Sequence, residues 1–514
     1  MPDSGGTRTI ARDVTRTIAA TQVPPTKFKG SSMTTSWFTD AGLGVFIHFG
    51  HASSRGWELS WQMTGGVVGQ YPALEPVPCE EYFANAYTFD PQAFDADAWA
   101  DAIAGSGARY AVIGAKHHDG FAMYDSAHSD YSIVKATPFG RDLLAEVLAA
   151  LRARGLRIGI YLSMPDWHHP DYPRMTDATT TKPYRLDSWV RTDEQQWGRY
   201  REYFLDQLTE LLSNYGAIDV LWLDGEFEHT EQEWDFADIR ARVRALQPEC
   251  LVNDRCVGHG DFITPEQQLP ESAPEGPWEV CLTMNDTWGW STVRQRWKSV
   301  PEVLTHLVEA TTTGGNLLLN VGPRGDGSFP PEALRTLQAV GRWIDRNHEA
   351  VGGLSPAPSH ISSRLPMASR TVHGITRVYV YCTLQPYQHL TVRGVPVQRV
   401  RAVRVLGDAR GLPFTAVPRL PDVHAGAPDP RGELVVEIPS ELAAQLIPVI
   451  AIDLEPEPAA RPADIHTHPM DTHRAQPRFD QHDRRRYATA APPGITDPDD
   501  SCREEPSLVP GTLS

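Results

Sequence analysis

The sequence predicts a (β/α)8-like barrel followed by an antiparallel β-sandwich. Three observations carry that prediction. Between Trp37 and Gly352, strand-like apolar runs alternate with amphipathic helical segments. Such alternation means a parallel sheet, and this many repeats over about 300 residues favour a closed barrel over an open sheet. Carboxylates, imidazoles and indoles follow the runs closely, as expected where the C-terminal strand ends of a barrel converge on one face. Beyond about residue 352 the pattern changes to short β-rich runs separated by Gly and Pro.

Taken in order, residues 1–34 are polar, rich in Thr and Arg, and without sustained period. They read as a disordered leader, with Met33 as a second candidate start. The barrel is expected over 35–351. Its strands are Leu43–Phe49, Ala108–Ala115, Leu156–Leu162, Ile218–Leu223, Cys250–Asp254, Glu279–Met284 and Leu317–Val321. Helical spacing places helices at Phe94–Ser106, Leu143–Ala153, Gln196–Asn214, Asp235–Ala245, Pro301–Thr312 and Pro330–Arg346. The sandwich, over 352–455, draws on runs such as Arg377–Cys382, Glu433–Ile438 and Val449–Ile452. From 456 to 514, Pro, Asp, Arg and His dominate, a composition that cannot offset ordering entropy; a disordered tail is expected, with His466, His468 and His473 solvated.

Composition narrows the function. A net charge of −18 argues against nucleic acid or an anionic membrane as partner and favours a soluble protein that handles neutral or small ligands. The six cysteines are scattered without a C-x-x-C pair, so neither a zinc site nor a disulfide framework is signalled, and a reduced, cytoplasmic setting fits. No apolar run approaches membrane-spanning length, and the N-terminus lacks the apolar core of a signal peptide.

Asp224 ends the run Ile218–Leu223 and precedes Gly225, where a barrel places its catalysts; a turn-capping role is the alternative. His48, Glu58 and Trp61 follow the first strand, and Lys116-His117-His118-Asp119 the second. Asp166 follows the third, Arg255 the fifth, and Trp278-Glu279 with Trp288-Gly289-Trp290 surround the sixth. Such a set suits a sugar pocket: indoles stack on C–H faces while polar tips bond hydroxyls. Bland alternatives stand beside it. His117 and His118 could be a metal pair, although adjacent histidines on a strand point apart and no H-x-H or H-E-x-x-H spacing is present. Trp222 and Trp278 could be core, Asp119 and Asp166 helix caps, and Asn316–Pro323 a buried strand with its turn.

Five motifs in order make a specific resemblance: Phe46-Ile47-His48-Phe49-Gly50, Ala115–Phe121, Trp222-Leu223-Asp224-Gly225, Trp278-Glu279 with Trp288-Gly289, and Asn316–Pro323. Together they resemble the α-L-fucosidases of glycoside hydrolase family 29, whose C-terminal module also agrees with the β-rich region. The resemblance implies a retaining exo-glycosidase that releases terminal α-L-fucose from glycans or glycoconjugates. It implies no metal or other cofactor, and leaves homo-oligomerisation open. By the same resemblance Asp224 matches the nucleophile, and His48, His117 and His118 match histidines that bind fucose hydroxyls. Trp61 matches a loop tryptophan and Arg255 a substrate-contacting arginine, with Trp222, Glu58 and Trp290 expected in the sugar pocket. Glu279, in the Trp-Glu motif, is assigned as acid/base over Glu58, Glu226, Glu228 and Glu275; burial and ionised Asp224 would keep it protonated. The chain departs from the pattern at Glu58-Leu59-Ser60-Trp61, where many relatives have Glu directly before Trp. Phe49 stands where Trp is common, and His348 where Gly is usual. These departures bear on aglycone preference. Two other classes remain open: a metal-dependent barrel hydrolase built on His117 and His118, and a catalytically silent glycan-binding protein.

Overall fold

The barrel strands are β1 Leu43–Ile47, β2 Tyr110–Lys116, β3 Arg157–Ser163, β4 Val220–Asp224, β5 Leu251–Val252, β6 Glu279–Thr283 and β7 Asn316–Val321. All pair in parallel, in the order β5-β4-β3-β2-β1-β7-β6. This computed structural model describes residues 35–66, 74–173, 194–293, 295–385, 388–408, 410–418 and 431–456. The expected leader, and all of the expected tail beyond Pro456, lie outside the described residues.

The two sheet edges, β5 and β6, meet through residues 262–266. Asp261 N–H donates to Val252 O (2.7 Å), Glu279 N–H to Ile263 O (3.0 Å), Cys281 N–H to Pro265 O (3.1 Å) and Gln267 N–H to Cys281 O (2.9 Å). Parallel bridges Asn253↔Phe262, Ile263↔Trp278 and Glu266↔Cys281 accompany them. This irregular closing segment takes the place of an eighth strand, so the expected barrel is present. The sequence reading has only seven strands because Pro265, which has no N–H to give a ladder, breaks a run that is already short.

Alternation along the strands sorts the core into two layers. Val45 and Ile47 point outward into the cluster that holds Leu144, Leu148 and Leu337 of the surrounding helices. Phe46, Tyr110, Tyr161, Trp222 and Phe262 fill the interior. Gly44 is required there: a Cβ on it would sit 2.3 Å from Tyr110 Cζ. Helices begin where the sequence supplies caps. Asp142 accepts from Ala145 N–H at the start of Leu143–Ala153, and Ser299 with Glu302 forms a capping box before Val300–Thr312. Strand β1 stops at Ile47, two residues short of expectation, which leaves His48 and Phe49 beyond the strand end.

The second module has a five-stranded sheet, order β12-β15-β10-β9-β8, and a three-stranded sheet, order β11-β14-β13. Its strands are β8 Ser355–Pro356, β9 Met367–Val372, β10 Ile375–Tyr381, β11 His389–Pro396, β12 Val400–Val405, β13 Phe414–Pro418, β14 Arg431–Glu437 and β15 Val449–Leu454. The sequence reading lacks β8 and β13, which are short, polar or Pro-bearing. A small core of Val378, Val380, Val392, Leu434 and Ile450 lies inside the module. The other face packs on the barrel's last helix, Pro331–Asn347, where Tyr379, Tyr381 and Val449 join the barrel's own cluster. Trp343 Nε1 donates to Ile447 O (2.9 Å), Tyr381 OH donates to Ala350 O (2.8 Å), and Glu349 pairs with Arg377 (2.5 Å) and Arg404 (2.9 Å). Among the described residues no helix is long and apolar enough to cross a membrane.

Trp343 is buried between the two modules. Trp343→Ala should lower unfolding free energy by about 3–5 kcal/mol, read from urea titration. A loss below about 1 kcal/mol, within the range of ordinary surface changes, would show that the sandwich does not brace the barrel.

Candidate active site

The strand ends enclose a cavity of about 320 Å³. Asp224, the last residue of β4, lines it with a side chain 19% exposed. The backbone beneath this carboxylate is held on both sides. Met164 N–H donates to Asp224 O (2.8 Å) from the β3 end. On the other side β5 is only two residues long, and the Asn253 side chain continues the pairing: its amide accepts from Leu223 N–H (2.9 Å) and donates to Leu223 O (2.9 Å). Gly225 then turns at φ +86°, against Pro165, where a Cβ would fall 2.3 Å from Pro165 Cδ. Tyr161 OH donates to Asp224 Oδ2 (2.8 Å), and His118 Nε2 lies 3.5 Å from the same oxygen.

Three imidazoles surround this carboxylate, each held by its Nδ1. Asn320 donates its amide to Trp288 O (2.7 Å), which turns Oδ1 toward His48 Nδ1 (2.7 Å). Ser163 OH donates to Pro165 O (2.8 Å), so its oxygen accepts from His118 Nδ1 (2.6 Å). His117 Nδ1 meets Ser60 Oγ (2.7 Å). Burial pushes His48 down to about 4 and His118 to about 3, and holds His117 well below 6.5, with its histidine neighbours adding to the effect. The rings are therefore neutral at ordinary pH. For His48 and His118 the proton sits on Nδ1, which makes Nε2 an acceptor for a ligand hydroxyl. His118 Nε2 is buried without a hydrogen-bond partner. His117 and His118 lie past the end of β2, in a turn, so strand alternation does not separate them: their ring centroids are 4.3 Å apart.

Among the described residues one further carboxylate lines the cavity with Asp224: Glu266, on the closing segment. Arg255 connects it to the β4 turn. Nη2 lies 3.1 Å from Glu266 Oε2 and Nη1 lies 3.1 Å from Glu226 Oε1. The guanidinium stands 5.8 Å from the Trp222 ring centroid. Aromatic surfaces complete the site: Phe46, Trp222 and Trp288 line it, Trp61 packs on His118 at 4.8 Å between centroids, and Phe227 is 38% exposed.

The structure thus brings together Asp224, His48, Trp61, His117, Trp222 and Arg255 around one cavity, with His118 directly behind Asp224. Three expected residues fall elsewhere. Glu279 is at the N-terminal end of β6, fully buried in the barrel interior, and accepts from Trp222 Nε1 (2.8 Å) and from Tyr110 OH. It supports the Trp222 ring and does not line the cavity. Glu58 is also fully buried; its two oxygens accept from Trp288 N–H (2.6 Å) and Gly289 N–H (3.0 Å), so it ties the loop after β1 to the loop after β6. Trp288, not Trp290, provides the wall. Asp119 and Asp166 cap turns, not helices: Asp119 accepts from Phe121 N–H and Asp166 from His168 and His169 N–H. Sequence reasoning missed Tyr161 and Glu266. Tyr161 lies inside an apolar run and reads as core. Glu266 had one weak local signal, the short apolar pair Phe262-Ile263 ahead of it, which Pro265 cuts off.

Known proteins resemble this chain in sequence and in fold. Residues 10–349 match the family model described as alpha-L-fucosidase. The chain is 32% identical over 343 residues to the tissue alpha-L-fucosidase of Mus musculus, covering 62% of this chain and 72% of that one. Against the tissue alpha-L-fucosidase of Homo sapiens it is 31% identical over 340 residues, covering 62% and 70%. Among solved structures, alpha-L-fucosidase isoenzyme 1 from Paenibacillus thiaminolyticus superposes with TM-score 0.68 at 33% identity, covering 82% of this chain and 99% of that one. A Bacteroides thetaiotaomicron alpha-L-fucosidase, solved as a trapped covalent intermediate with 2-fluoro-fucosyl fluoride, shares the fold at TM-score 0.68 and 24% identity, covering 83% and 99%.

The position of Glu279 has a measurable consequence. Burial pushes its carboxyl from 4.5 up to about 7. Because the folded value lies above the unfolded one, the stabilisation is complete below about 4.5 and is lost as pH rises through about 7. At roughly 1.4 kcal/mol per pH unit, the loss amounts to about 3 kcal/mol. Glu279→Gln, which keeps the shape and the Trp222 bond, should reduce the fall in unfolding free energy between pH 5 and 8 by about that amount, measured in urea. An unchanged fall would show that Glu279 titrates as it does in the unfolded chain.

Proposed function

The chain belongs to the alpha-L-fucosidase family, and on that footing we propose that it releases terminal α-L-fucose from glycans with retention, using Asp224 as nucleophile and Glu266 as acid/base. The observation that carries this reading is that Asp224 and Glu266 are the two carboxylates lining the cavity among the described residues. In the first step an Asp224 oxygen attacks the anomeric carbon while Glu266 protonates the departing glycosidic oxygen; in the second, Glu266 takes a proton from water as it displaces Asp224. Retention requires the two carboxyl groups to lie roughly 5–5.5 Å apart when the sugar is bound.

The surroundings support these roles. The Tyr161 hydroxyl on Oδ2 orients the nucleophile and leaves Oδ1 for attack. Neutral His48, which lines the cavity, offers an Nε2 lone pair that suits a sugar hydroxyl donor, whereas imidazolium there or at His118 would repel the positive charge of an oxocarbenium-like transition state. Trp222 and Trp288 offer faces for the C–H surface and methyl group of a deoxy sugar. The fucosylated partner is an oligosaccharide or glycoconjugate. A reduced, cytoplasmic setting is part of the proposal, supported by five free cysteines among the described residues.

Asp224→Gly should fold and lose at least about 10³-fold in kcat. With 2-fluoro-fucosyl fluoride, tandem mass spectrometry should find the label on Asp224; a label on Glu226 or Glu228 overturns the assignment. Glu266→Ala should lose the basic limb of its pH–rate profile and fail on natural glycans far more than on aryl fucosides. Azide should rescue it and yield α-fucosyl azide, by attack on the face that the aglycone left. Retention of that limb together with activity on natural glycans would move the acid/base elsewhere.

A further inference from the structure

Glu226 lies two residues after the nucleophile, on the single turn Glu226–Glu228 that follows β4. It belongs to neither half of the two-carboxylate chemistry, yet it is largely buried and holds one end of the Arg255 fork while Glu266 holds the other, each at 3.1 Å. The turn has little freedom. Its last residue, Glu228, is buried and accepts from Tyr172 OH (2.5 Å) and Trp167 Nε1 (3.2 Å). Two carboxylates thus share one guanidinium, whose carbon stands 5.8 Å from the Trp222 ring centroid. An arginine bonded to Glu266 alone would favour its ionised form, the wrong form for a residue that must arrive carrying a proton.

We propose that Glu226 is a positioning residue that holds Arg255 between two carboxylates and so weakens its hold on the proton-donating carboxyl of Glu266. The inference rests on the reading of Glu266 as acid/base. The groups that surround the pair come from every adjoining element: Asp224 and Glu226 from β4 and its turn, Tyr161 from β3, Asp254 from the loop after β5, and Cys281 from β6. Arg255 is the cation these carboxylates share, and Glu226 heads its attractive partners, ahead of Asp224 and Glu266. Burial raises the Glu226 carboxyl itself, Arg255 opposes that rise and Asp224 adds to it. When Glu226 ionises, it offsets charge that Arg255 would otherwise direct at Glu266. Removing that negative charge makes Glu266 a stronger acid, which loses its proton at lower pH.

The test is the pH dependence of kcat/KM on an α-fucosyl disaccharide, with wild type, Glu226→Gln, Glu226→Asp and Glu266→Gln compared. Glu226→Gln should shift the basic limb to lower pH by about half a unit or more, and Glu226→Asp should restore part of that shift, while aryl fucosides respond weakly to either change. A limb that disappears in Glu266→Gln but does not move in Glu226→Gln overturns the role of Glu226 alone. A limb that persists in Glu266→Gln overturns the acid assignment, and this inference with it.

Discussion

The site depends on how rigidly the end of β4 is held. A carboxylate held for chemistry tolerates little displacement; the backbone of Asp224 is fixed by pairing on both sides and its side chain by Tyr161. Strand β3 supports it through Met164. On the other side regular pairing stops after two residues, and the Asn253 amide, which can donate and accept at once, replaces the missing peptide. The chain leaves the barrel early there and returns as the closing segment, which brings Glu266 to the lining of the same cavity. The irregularity of the barrel at this point thus lets a carboxylate from the closing segment, one position beyond β5, line the same cavity as Asp224 at the end of β4.

Charge in the site is unbalanced in a useful way. The three imidazoles are neutral because burial disfavours imidazolium, and each is held through its Nδ1. Arg255 is the cation around which Asp224, Glu226, Glu266 and Asp254 gather. An excess of carboxylates over cations in a partly buried volume makes one proton favourable to retain, the electrostatic condition for general acid catalysis near neutrality. None of the described sandwich residues lines the cavity. The sandwich contacts the barrel's last helix through Trp343 and the turn just after that helix through Glu349.

Much of this was legible in order along the chain. The run Ile218–Leu223 before Asp224-Gly225 marks a buried strand with a carboxylate at its end, and the structure agrees to within two residues. The helix at Leu143–Ala153 agrees at both ends, because Asp142 caps it and its apolar stripe is regular. The error at Glu279 is instructive, since the rule that located Asp224 excludes it: parallel strands carry their chemistry at the C-terminal end, and Glu279 begins its strand. A carboxyl next to Trp in a motif looked catalytic, whereas its place is inside the barrel under Trp222. Glu58 misled in the same way, because a carboxylate that serves two backbone N–H groups across the barrel mouth has no local signature.

The sequence by itself determined what depends on neighbours a few residues apart. These are the strand and helix periods, the caps, the glycine turn after Asp224, the sandwich runs and the order of the family motifs. Local sterics and periodic burial fix such features before any distant contact forms. Only the tertiary structure decided which carboxyl joins Asp224, and which tryptophan makes the wall. It alone showed the partners of Arg255 and the neutrality of the histidines. Those outcomes turn on separations of a few ångströms between residues far apart in the chain, such as Glu58 and Trp288 or Tyr110 and Glu279. They also turn on burial, which sets protonation and which belongs to the closed barrel rather than to any segment of it.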